Sequence, residues 1–129
     1  IIANRGREIS PYIVKETVSP LGVVKAREPS ASSNQVINED VADKIKELMV
    51  EVVKNGTGTS AAIKGIEVAG KTGSAENPHG KAHAWFIGFA PAQNPQIAVA
   101  VIVENGGSGG AVAAPIARSV MLQYLTDEK

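Results

Sequence analysis

Apolar residues recur along this chain with two different periods, and the changes of period mark its elements. Between 39 and 55, Val41, Ile45, Leu48, Met49, Val52 and Val53 follow one another at steps of three and four, which predicts an amphipathic helix. Asn38 stands where its side-chain oxygen can accept from the free N–H groups of the first turn. Glu39 and Asp40 follow where the helix dipole favours negative charge, and Gly56 ends the pattern. Beyond it the apolar positions come in shorter runs, at 66–72, 84–90 and 96–104. Gly70 inside the first run predicts a close approach by another part of the chain. The third run is almost continuously β-branched, which predicts a strand buried on both faces. A polar loop at 75–83 and a tight connection at 91–95 link the runs, so an antiparallel meander is expected. A glycine-rich, flexible turn at 105–110 leads to a closing helix at 111–125. Its expected inward stripe is Ile116, Val120, Met121, Tyr124 and Leu125, and Pro115 fits its first turn.

The first third is less regular. Residues 1–4 read as the last turn of a helix, with Gly6 as a left-handed cap. Residues 12–14 are short and β-rich. Ser19-Pro20-Leu21-Gly22 has the proline and glycine positions of a β-turn, and residues 23–26 can return as the second strand of a hairpin. Residues 28–35, with Pro29 and three serines, read as a loop.

Composition narrows the function classes. The 129 residues suffice for one domain, and no repeat or second domain is visible. Thirteen basic and 13 acidic side chains leave no net charge to attract nucleic acid or an anionic membrane. One Trp, two Tyr and two Phe provide no base-stacking platform. The absence of cysteine excludes disulfides, thiolate metal sites and a Cys nucleophile. No run approaches the ~18 apolar residues of a membrane-spanning helix. With neither an initiator Met nor a signal peptide, the chain is expected to be a piece of a longer protein.

The candidate chemistry lies at the end of the 66–72 run, in Val68-Ala69-Gly70-Lys71-Thr72-Gly73-Ser74-Ala75-Glu76. A strand ending in Lys-Thr-Gly can present an ammonium, a hydroxyl and bare backbone N–H groups along one edge. Such an edge suits a carboxylate and a developing oxyanion. It is preceded by Gly56-Thr57-Gly58-Thr59 and followed by His83-Ala84-Trp85-Phe86-Ile87-Gly88-Phe89-Ala90-Pro91. In that order the segments resemble the C-terminal part of a penicillin-binding protein transpeptidase domain of the class B, monofunctional type. Lys-Thr-Gly, Ser-x-x-Lys and Ser-x-Asn are the signatures of that superfamily.

The resemblance implies an α/β (α+β) fold like that of serine β-lactamases, an antiparallel sheet flanked by helices. It implies a peptidoglycan D,D-transpeptidase that works through a serine acyl-enzyme, needs no cofactor and is acylated by β-lactams. Lys71 would support proton transfer and carboxylate binding. Thr72 and Ser74 would hydrogen-bond the carboxylate of a D-Ala-D-Ala stem peptide or of a penicillin, and the Ser74 N–H would be an oxyanion donor. Catalytic roles thus fall on Lys71 and Ser74, and substrate binding on Lys71, Thr72, Gly73 and Ser74. A Cβ at Gly73 would obstruct the substrate or the nucleophile helix. The implied location is the extracytoplasmic face of the bacterial cell membrane. A β-lactamase or β-lactam sensor of the same fold, and a non-catalytic peptide- or partner-binding domain, are the alternatives.

Other features carry less. Glu76, His79 and His83 have metal-like spacing only on a helix, which Pro78 and Gly80 oppose; His83 is expected to order the loop entering the next strand. Trp85 and Phe86 are expected to pack, with one face of their strand on the core. The glycines at 106–110 lack a phosphate-loop ending. None of the nine serines has Lys three residues later, as a serine activated by a lysine one helical turn on requires. Ser60 and Lys64 are four apart in a glycine-rich loop. Ser32-Ser33-Asn34 matches Ser-x-Asn in letters, but at the wrong distance from Lys71. The nucleophile, its lysine and the Ser-x-Asn element are therefore expected before Ile1, in a remainder present as another chain or fragment.

Overall fold

The computed structural model describes residues 1–26 and 34–127. Residues 28–33 of the expected loop, with Ser32 and Ser33, lie outside the described residues. The chain opens with a 3₁₀ turn, Ile2–Asn4, where the sequence suggested a helix end. Two left-handed residues follow it: Arg5, with φ 53°, takes the cap position, and Gly6 has φ 85°. A Cβ on Gly6 would overlap the Ile37 carbonyl oxygen.

Strands β1 (Glu16–Val18) and β2 (Val24–Ala26) form the expected hairpin, but β1 begins after Tyr12-Ile13-Val14. The Gly22 N–H donates to the Ser19 carbonyl at 2.9 Å, closing the Pro20-Leu21 turn. Helix α1 spans Glu39–Asn55. The Asn38 side chain makes no capping bond; its carbonyl accepts from Val41 and Ala42 instead. The buried face of α1 is Ala42, Val50 and Val53, whereas Val41 and Leu48 of the expected stripe are exposed, Leu48 by 68%. Apolar spacing alone does not say which flank of a broad apolar arc meets the sheet.

Strands β3 (Ala69–Ala75), β4 (His83–Ala90) and β5 (Ile97–Val103) form the meander, in the order β3-β4-β5 and antiparallel throughout. β3 lies three residues later than its apolar run. Pairing with β4 continues through polar Gly73 and Ser74, while Ile66 only bridges to Ile63. After β5 the chain winds through a π turn, Gly109–Ala113, into helix α2, Ala114–Asp127. Part of the 105–110 segment is thus helical and buried at Gly109, not a free turn.

Register assigns the two sheet faces. Ala84, Phe86 and Ala90 face Ala113, Ala114, Ala117 and Met121 from the C-terminal helix, and Phe86 and Met121 are fully buried. Burying a side chain of this size stabilises by about 1.5–3 kcal/mol. The Phe86 ring lies over Gly70, where any Cβ would overlap it, so the predicted close approach is by a ring. Ile116, Val120 and Tyr124, expected inward, are exposed on α2. On the opposite sheet face, α1 covers one end, where Val50 and Met49 meet Ala69, Phe89 and Ala92. The rest of that face leaves Trp85 38%, Ile87 49% and Ile102 47% exposed. β5 therefore alternates half-buried and exposed residues and is not covered on both faces as its composition suggested. The described residues contain no helix long and apolar enough to cross a membrane.

Candidate functional site

The register of β3 on β4 distributes the candidate residues. Thr72 pairs with Phe86 and Ser74 with Ala84, on the face covered by α2; Lys71 pairs with Ile87 and Gly73 with Trp85, on the open face. Thr72 and Ser74 thus share one face of the strand and Gly73 takes the other. Among the described residues β3 has β4 as its only strand neighbour, so its other edge carries unpaired backbone groups. Those groups are available to an extended ligand, which can pair with a sheet edge as an added strand.

Lys71 is exposed at this edge, and its ammonium donates to the Thr72 carbonyl at 2.6 Å. It has no carboxylate partner among the described residues. Its positive charge is therefore not neutralised within the site, as binding an anion requires.

The two hydroxyls are held from behind. Thr72 Oγ1 lies 2.6 Å from Thr57 Oγ1, and either can donate. Ser74 Oγ accepts from the Gly109 N–H at 3.3 Å. A hydroxyl has one proton and two acceptor lone pairs. Accepting from Gly109, Ser74 keeps its O–H for an anionic ligand, and Thr72 keeps its own when Thr57 is the donor. Packing keeps this geometry close. A Cβ on Gly109 would overlap the carbonyl oxygens of Gly73 and Trp85, and one on Gly110 would overlap the Thr57 carbonyl oxygen. A Cβ on Gly73 would come within 3.3 Å of Trp85 Cβ.

Thr57 and Gly109 carry these contacts and were not assigned by the sequence reading. Thr57 lies in a visible Gly-Thr-Gly-Thr segment, yet nothing local tells that its hydroxyl meets one 15 residues away. Gly109 lies 35 residues from Ser74. His83 Nδ1 accepts the Asn105 N–H at 3.0 Å, so its side chain holds the turn after β5 and not the 75–83 loop expected from the sequence. No group of three potential metal ligands occurs among the described residues.

The family model for the penicillin-binding protein transpeptidase domain matches residues 1–122, and the chain belongs to that family. Its meander, with a Lys-Thr-Gly strand at the edge and a helix behind it, agrees with this. Among curated relatives, peptidoglycan D,D-transpeptidase PbpA of Mycobacterium tuberculosis is 40% identical over 98% of this chain. The chain spans 28% of that relative's length. Among solved structures, the D,D-transpeptidase domain of a peptidoglycan glycosyltransferase from Eggerthella lenta superposes with a TM-score of 0.86 at 35% identity, covering 98% of this chain and 30% of that one. Penicillin-binding protein A of M. tuberculosis, solved as a ceftriaxone acyl-enzyme complex, gives 0.82 at 41% identity over 94% of this chain and 29% of its own.

Proposed function

We propose that this chain is the carboxylate-binding and oxyanion-binding edge of a peptidoglycan D,D-transpeptidase. The observation that carries this reading is the unpaired edge of β3, where Lys71 is unneutralised and the Thr72 and Ser74 hydroxyls are backed by Thr57 and Gly109. Relatives named D,D-transpeptidases and a relative solved as a β-lactam acyl-enzyme support it. In this reading the whole protein works at the extracytoplasmic face of the bacterial cell membrane.

A serine in the remainder of the domain attacks the carbonyl between the two D-alanines of a stem peptide. The C–N bond breaks, D-Ala leaves with a proton, and an ester remains on the serine. An amine from a neighbouring stem peptide then takes the acyl group and regenerates the hydroxyl. Lys71 binds the terminal carboxylate electrostatically and supports proton transfer at the serine. Thr72 and Ser74 donate to the same carboxylate, while the bare Gly73 lets the substrate backbone lie close. The Ser74 N–H is one of the donors to the tetrahedral oxyanion. Loss of one such donor costs about 2.7–4 kcal/mol of transition-state stabilisation. A β-lactam carries a carboxylate beside a strained amide and is bound by the same groups.

The test uses the complete protein, a D-Ala-D-Ala peptide and an amine acceptor. Release of D-Ala with acyl transfer to the amine is expected, with only slow penicillin turnover. Rapid penicillin hydrolysis without transfer would mark a β-lactamase instead. Neither acylation nor D-Ala release would contradict the reading.

A further inference from the structure

We propose that His83 is a positioning residue for the substrate edge of β3, acting through the turn that precedes the π turn; this rests on the reading of β3 given above. Three N–H groups at alternate residues, two in that turn and one at the first residue of the π turn, donate across the base of the 76–82 loop. Asn105 donates to His83 Nδ1 at 3.0 Å, Gly107 to the Ala82 carbonyl at 2.7 Å and Gly109 to Ser74 Oγ at 3.3 Å. Ser74 lies before the loop, and Ala82 and His83 lie after it. The turn is therefore a brace that holds the end of β3 to the start of β4.

The brace is built into the local conformation. Asn105 has φ 55° and Gly107 φ 85°. Asparagine is one of the few side-chain-bearing residues that tolerates the left-handed region. The Asn105 Oδ1 accepts from Asn77 Nδ2 at 2.5 Å, and Asn77 Oδ1 accepts from the His79 N–H at 3.0 Å. A Cβ on Gly80 would come within 2.8 Å of Asn105 Oδ1, so the bare glycine leaves room for this link. Loop, turn and strand end are thus joined by one continuous set of hydrogen bonds.

His83 is the side chain at one end of the brace, and Ser74 is at the other. An imidazole that accepts at Nδ1 carries its proton at Nε2. Without that acceptor the Asn105 N–H loses its partner, and the turn is held by the Gly107 and Gly109 links and by the exposed Asn77 side chain. Gly109 keeps its packing against the Gly73 and Trp85 carbonyls, but the turn that leads into it is held less firmly, which loosens its bond to Ser74. Productive geometry in such sites is held to within about 0.5 Å, so a small drift at Ser74 is enough to slow acylation.

The test measures the rate constant for acylation by fluorescent penicillin in the complete protein, together with amide hydrogen exchange at Gly109. His83→Ala is expected to lower acylation about tenfold and to speed exchange at Gly109. His83→Asn puts an amide oxygen near the position of Nδ1 and is expected to restore both to within about threefold of wild type. Asn77→Ala removes only the exposed outer link and is expected to slow acylation about threefold with an unchanged melting temperature, which decides the matter if His83→Ala does not fold. Wild-type acylation in His83→Ala, failure of His83→Asn to rescue, or wild-type acylation in Asn77→Ala would overturn the brace while leaving the site reading intact. An unacylated wild-type protein would overturn the site reading and the brace with it.

Discussion

The two faces of the β3-β4-β5 sheet are made by the same strands, yet the chain finishes only one of them. Under α2, Phe86 and Met121 are sealed from solvent. Across the sheet, Trp85, Ile87 and Ile102 remain partly open beyond the reach of α1. The site straddles this divide. Thr72 and Ser74 belong to the finished face, where Thr57 and Gly109 hold their hydroxyls. Lys71 belongs to the unfinished face, beside Ile87. The hydroxyls proposed to bind the carboxylate are thus held in place by this chain's own contacts. Lys71, proposed to support proton transfer, faces the other side of the sheet, which α1 covers only at one end.

Substitutions on the two faces should therefore differ sharply. The largest effect is expected at Phe86. Phe86→Ala empties a ring-shaped volume over Gly70 and should cost about 3–5 kcal/mol in denaturant unfolding, whereas Trp85→Ala, one residue away on the open face, should cost about 1 kcal/mol or less in the isolated chain. Equal losses would contradict the division. Next comes Gly109→Ala. The new methyl meets backbone carbonyls of β3 and β4, which cannot swing aside, so a loss of about 1–3 kcal/mol is expected together with impaired acylation of the complete protein. Full stability in Gly109→Ala would mean that the close approach is unimportant.

A smaller effect on stability, but a clear one on function, is expected from Thr57→Val. The shape is kept and the hydroxyl behind Thr72 is lost, so acylation should fall about tenfold while stability changes by about 1 kcal/mol. Unchanged acylation would remove Thr57 from the site.

Much of this was legible in the sequence because it depends on local pattern. The helix from 39 to 55, the three strands in antiparallel order and the Lys-Thr-Gly edge all follow from spacing and residue type. The errors share one cause. Leu48, Ile116, Val120 and Tyr124 have helical spacing, but which arc of a helix turns inward depends on the neighbour it meets. The β-branched run of β5 predicts burial on both faces, yet among the described residues the strand lies at a sheet edge with one face uncovered. The hydroxyl partners were hidden for a similar reason: the fold brings Thr57 to Thr72 and Gly109 to Ser74, and no local motif encodes either meeting.

The smallest effect expected lies away from the site, where α1 meets the approach to β3. Lys54 donates to Glu67 at 2.6 Å and Gln93 donates to the other carboxylate oxygen at 2.9 Å. The Lys54 bond, then that from Gln93, holds the Glu67 carboxyl below its ordinary range, and the Lys54 ammonium is raised in turn. A lowered carboxyl stabilises the fold above its ordinary value and stops doing so as pH falls through the lowered one. The raised lysine contributes below its ordinary value and is lost as pH rises through the raised one. Glu67→Gln should therefore lower the melting temperature slightly at neutral pH and not at all in strong acid. A difference that persists in acid would show that the pair's charge is not its cause. Because the pair is exposed, its effect should also shrink with added salt.

The central claim is that this chain supplies the binding edge for a serine carried elsewhere in the domain. Its most direct test is to acylate the complete protein with fluorescent penicillin and map the labelled residue by peptide mass. The expected label is on a serine outside these 129 residues, with Lys71→Ala nearly abolishing it. A label on any of the nine serines within them, or labelling indifferent to Lys71, would contradict the account.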